Sequence, residues 1–151
     1  MTQNSSVKDH DHKKIAAQLF NRVWDYLDQE QRTEEDNMSM IHMAHASRYH
    51  WGEVGEPINL VRGEWQVSRV YSVVERAEPA LFHAESCLAL CLEHHIKDFD
   101  LAFAYEAMAR AYKIKQDLEQ MEKYIQFAYE ACDKVAKDAD RNVVLGELRT
   151  I

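Results

Sequence analysis

Residues 60–74 read LVRGEWQVSRVYSVV and residues 101–115 read LAFAYEAMARAYKIK, and the periodicity of these two stretches decides the fold. In the first, Leu60, Val67, Tyr71 and Val74 fall on one stripe of a helix, whereas a strand would need alternation with period two. Glu64 lies on the same stripe, so its carboxylate is expected to be partly buried and to need a hydrogen-bonding or ionic partner. Elsewhere in the chain no alternating segment is bounded by turn residues. Composition agrees: 4 Gly and 2 Pro among 151 residues leave few turns, and good helix formers are plentiful. The expectation is an all-α domain of six to seven helices, large enough to bury roughly two thirds of its unfolded surface.

Working outward from these stretches, the punctuation divides the chain. Residues 1–13 read as a polar tail, and Ile15, Leu19, Val23, Tyr26 and Leu27 give a first helix. Thr33, followed by Glu34, Glu35 and Asp36, supplies an N-cap with acidic residues suited to the helix dipole. A second helix runs to about Trp51, where Gly52 and Gly55 end it, and Pro57 and Pro79 open a third and a fourth. Asp98 or Asp100 caps a fifth, and Asp117 with Gln120 has the spacing of a capping box for a sixth. The domain 14–151 therefore divides into a first helix pair at 14–55, two units at 57–96 and 98–137, and a terminal helix at 138–151. Short loops imply that consecutive helices are antiparallel.

The net charge of -8 argues against a nucleic-acid partner, which would have to bind against the field of the whole molecule. No apolar run approaches the ~20 residues of a membrane span, and MTQNSSVKDHDHKK is too polar for a secretory signal. A cytoplasmic protein without membrane attachment is expected. Cys87, Cys91 and Cys132 are an odd number without CxxC spacing, in apolar helical stretches, and read as reduced core thiols.

The two units overlay at an offset of 41 residues: Tyr71 falls on Tyr112, Ser68 on Ala109, Ala80 on Met121, and Cys87 on Ala128. With Ala84 and Ile125 included, this resembles the tetratricopeptide repeat, which has a small residue and a tyrosine three apart in its first helix and spaced alanines in its second. The resemblance covers about residues 57–136. Two departures stand out. The HHIKDFD segment lengthens the period, and the glycine usual before the second helix is Glu75 in one unit and Gln116 in the other. The resemblance implies antiparallel helical hairpins stacked as a short solenoid, with the first helix pair closing the stack.

It also implies a concave surface lined by Arg62, Trp65, Arg69 and Ser72 and by Phe103, Glu106, Arg110 and Lys113. Spacing alone places Arg62, Trp65 and Arg69 on one stripe, and Glu106, Arg110 and Lys113 on another. The expected function is a non-enzymatic interaction module binding an acidic or carboxylate-ended peptide of a protein partner in a basic and aromatic groove. The contrasting reading is a solvated face whose arginines pair with Glu106 or Glu64.

A second candidate site comes from residues 40–51, MIHMAHASRYHW. His42 and His45 lie about 60° apart on a helix, but His50 is about 140° from His45, so one metal cannot hold all three. The alternative function is a metal- or small-ligand-binding protein, with enzymatic activity included, using His42, His45, His83 and Glu64 around zinc or another divalent metal. The competing explanation makes these histidines satisfied polar groups where helices cross. A third reading is a self-associating structural homodimer. No HExxH, nucleophile–base–acid set, phosphate loop or cofactor motif is present, so neither catalytic residue nor cofactor is expected.

Overall fold

The computed structural model describes residues 8–151; residues 1–7 of the expected tail lie outside the described residues. Seven helices follow one another: α1 (Asp9–Leu27), α2 (Glu34–Val54), α3 (Pro57–Val73), α4 (Ala77–Glu93), α5 (Phe99–Lys115), α6 (Leu118–Cys132) and α7 (Asp138–Leu148). Among the described residues there is no strand.

The helix ends follow the local chemistry. Thr33 and Asp36 form a reciprocal capping box at α2, and Pro57 occupies the first turn of α3. The Asp117 side chain accepts the Gln120 N–H at α6, one half of the expected box. Three boundaries differ from expectation. α1 begins at Asp9, because Asp9 and Asp11 in its first turn favour the dipole, so residues 9–13 of the expected tail are helical. α2 continues through Gly52 to Val54 and ends at Gly55. α4 starts two residues before Pro79, which still sits in the first turn, where no intrahelical N–H is required.

Consecutive helices pack pairwise, and α1 with α3, α3 with α5, and α5 with α7 also touch. Two layers result, an inner one of α1, α3, α5 and α7 and an outer one of α2, α4 and α6, a short solenoid-like stack. Small residues set the helix spacing. Ala80, Ala84, Cys87, Ala102, Ala104, Ala109, Ala111 and Ala128 are all fully buried, which lets helix axes approach closely where larger side chains would hold them apart. The Ser68 hydroxyl donates to the Ala80 carbonyl at 2.8 Å where α3 crosses α4.

The 41-residue register is visible in the packing. Tyr71 stacks on His83 at 5.9 Å and 13°, and the corresponding Tyr112 stacks on Tyr124 at 5.6 Å and 12°. Glu75 and Gln116, which stand where the repeat that the sequence resembles has glycine, adopt left-handed φ values of 60° and 65°. Asp98, also left-handed at φ 64°, caps α5 through Phe99 N–H and accepts Ala136 N–H at 3.1 Å, tying the α6–α7 loop to the start of α5. No described helix is long and apolar enough to cross a membrane.

Candidate functional site

The inner face is organised by the same register. Trp24, Trp65, Glu106 and Glu147 are spaced 41 residues apart on α1, α3, α5 and α7, and each is linked to the next. Trp24 stacks on Trp65 at 5.8 Å. The Trp65 indole N–H donates to Glu106 Oε2 at 3.2 Å. Glu106 Oε1 accepts from Arg69 Nη1 at 3.1 Å and from Arg110 Nε at 2.7 Å, and Arg69 also donates to the Glu147 carboxylate. Glu106 is 0% exposed, and a carboxylate so buried persists only because its oxygens are matched by charged and polar donors.

The basic stripe is thus assembled, with most of its donors engaged inside the chain. Arg110 Nη2 donates to the Glu147 carbonyl at 3.0 Å and to the Thr150 hydroxyl at 2.7 Å, and Lys113 Nζ donates to the Ile151 backbone oxygen. Arg69, Arg110 and Lys113 together fasten α7 and the residues after it. Arg62 differs. It forms a bidentate pair with Asp100 at 3.1 and 3.2 Å, yet 47% of its side chain is exposed, and its guanidinium lies 5.3 Å from the centre of the Phe99 ring.

Beside Arg62 is a cleft of about 330 Å³. α1 contributes Phe20 and Trp24, α3 Val61, Arg62 and Trp65, α5 Phe99, Asp100 and Phe103, and α7 Val143 and Glu147, with Cys87 of α4 also lining it. In a flat layer α1 and α7 would stand about 30 Å apart at ordinary helix spacing. Both nonetheless line this one cleft, so the layer is curved and its inner face is concave. Phe20, Trp24 and Val143 were not among the residues expected at a site. The signal for Trp24 was its 41-residue separation from Trp65.

The histidine candidates meet elsewhere, on the opposite side of α3. His45 of α2 hydrogen-bonds the Tyr71 hydroxyl at 2.8 Å, and its ring lies 5.3 Å from that of His83 on α4. His83 Nδ1 donates to Glu64 Oε2 at 2.6 Å, and Arg48 Nε donates to Glu64 Oε1 at 2.9 Å. Gly63 permits this crossing, since a Cβ there would lie 2.8 Å from Arg48 Cδ. The partner that Glu64 was expected to need is therefore present twice.

His42 remains exposed, and His50 pairs instead with His12 of α1 at 2.8 Å. Among the described residues no group of three or more His, Cys, Asp and Glu side chains is arranged to hold a metal ion. The Arg48 guanidinium stands where a cation bound to Glu64 would be repelled. Burial lowers the His45 pKa, the charge of His83 lowers it further and that of His42 adds, while Glu64 opposes. Burial pushes Glu64 up, but the His83 hydrogen bond and charge and the Arg48 guanidinium outweigh it and leave its pKa lowered. This is a satisfied polar seam joining α2, α3 and α4.

No protein-family model matches the chain, and neither does any curated protein or solved structure.

Proposed function

We propose that this chain is a non-enzymatic helical-repeat interaction module, tetratricopeptide-like in its stacking, that holds a segment of a protein partner on its concave face with an apolar residue of that segment in the cleft. The observation that supports this reading is the cleft itself. It falls within the usual ~300–1,000 Å³ of ligand pockets, and its walls are mostly apolar, with five aromatic side chains and few polar groups. Trp65 forms a wall, while Glu106, Arg69, Arg110 and Lys113 hold that wall and α7 in place, so little ordering remains to be done on binding. Arg62 and Lys113 are the exposed cations of the stripe, and they would meet the acidic or carboxylate-ended part of the bound segment beyond the cleft. Three buried free thiols suit a reducing compartment, and we place the protein in the cytoplasm.

The test is affinity capture from a cell extract. Val143 is 57% exposed at the lip of the cleft, so Val143→Arg obstructs it at little cost to folding. Partners held by the wild type should be lost with Val143→Arg and retained with Tyr49→Ala, an exposed position on α2 away from the cleft. Capture unchanged by Val143→Arg would refute the concave-face reading.

A further inference from the structure

We infer that the cleft selects a phenol ring, the side chain of tyrosine or its small-molecule counterpart, as the anchor; this rests on the concave face being a binding surface. Three features of the cleft point there.

The first is the arrangement of the walls. Phe103 meets Trp65 edge to face at 5.4 Å and 72°, and Phe99 meets Phe103 in the same way at 5.8 Å and 84°. Glu106 fixes the Trp65 indole, so this series of edges and faces is set before any ligand arrives. An added ring continues the series and gains quadrupole attraction beyond its buried area, whereas an aliphatic group gains area alone.

The second is size, since about 330 Å³ is roughly twice the ~150 Å³ cavity that holds a benzene ring, so a phenol ring enters with room for the group that carries it. The third is the polar end. Arg62 gives Nε and Nη2 to Asp100, and among the described residues no acceptor lies on its Nη1. Each Asp100 oxygen accepts one of these bonds and keeps a second lone pair. Because Nε and Nη2 face Asp100, Nη1 points to the other side of the guanidinium, and a hydroxyl can use either group, accepting from Nη1 or donating to the carboxylate. A carboxylate ligand would meet Asp100 and Glu147, and an ammonium ligand would meet Arg62.

The experiment titrates N-acetyl-tyrosinamide, N-acetyl-phenylalaninamide and N-acetyl-leucinamide into the ¹⁵N-labelled full chain and follows its three indole N–H signals by NMR. Trp24 and Trp65 line the cleft and should shift, while Trp51 does not line it and should stay. The tyrosine probe should bind tightest, with an advantage of about threefold to tenfold over leucine, and Val143→Arg should abolish the shifts. A phenylalanine or leucine probe binding as tightly as the tyrosine probe overturns the inference. If that happens while Val143→Arg still releases the captured partners, the phenol assignment alone has failed. If no probe shifts Trp24 or Trp65 and capture is also indifferent to Val143→Arg, the binding-surface reading has failed with it.

Discussion

Replacing Glu106 with alanine should destabilise the protein by about 3–5 kcal/mol, the usual cost of removing one partner from a buried ion pair. The magnitude can be built from the geometry. Glu106 Oε2 satisfies the Trp65 indole N–H, and leaving that donor unpaired costs roughly 1–3 kcal/mol. Oε1 takes Arg69 and Arg110, whose side chains are only 16% and 14% exposed, so Arg110 would lose its closest compensating charge and Arg69 one of its two. Glu147 remains near both arginines and softens that loss, which places the total at the lower end of the range. Glu106→Gln keeps the volume and one oxygen acceptor but loses the charge, so it should cost less than alanine, about 2 kcal/mol. Urea unfolding monitored by circular dichroism measures both, and tryptophan fluorescence should change with them because Trp65 is released. A loss below about 1 kcal/mol for Glu106→Ala would refute the view that this carboxylate organises the inner face.

Acid should weaken the fold in two steps. Because the folded-state pKa of His45 lies below its ordinary 6.5, the unfolded chain takes up that proton first, and stability falls as pH drops through about 6.5. Glu64, lowered from 4.5, contributes stability above that value that is lost as pH falls through its folded-state pKa. Urea midpoints across the pH range should show both steps, and His45→Gln should remove the upper one alone. A wild-type midpoint that is flat between about pH 7 and 5 would contradict this. Gln116→Gly should stabilise the protein by about 0.5–1 kcal/mol, because relief of roughly 1–2 kcal/mol of left-handed strain at φ 65° exceeds the extra entropy of an unfolded glycine. Thermal unfolding would register an unchanged or lower midpoint as a failure of that reasoning.

The local features of this protein could be read from its sequence because their causes are local. Helical spacing, the Thr33 cap, the 41-residue offset that aligns Tyr71 with Tyr112, and the need of Glu64 for a partner all follow from residues within a turn or two or from a simple repeat. Even the approach of His83 to the His45 helix could be read, since a facing helix had to supply something. Pairing of the arginines with Glu106 stood in the sequence as one of two readings, but their second partner, Glu147, could not be read. Arg69 lies 78 residues from Glu147 in the chain, and their meeting depends on how far the inner layer curves as α7 is added. The same curvature brings Val143 to the cleft that Phe20 and Trp24 also line, although α1 and α7 belong to opposite ends of the chain. Curvature accumulates from small differences in crossing angle at each helix pair, set by which alanines, serines and cysteines meet there. The 3.6-residue period records which face of a helix is buried but not the angle at which the next helix crosses it, so a stripe that read equally as a binding groove or as arginines paired with Glu106 is a clasp that holds one wall of an apolar cleft.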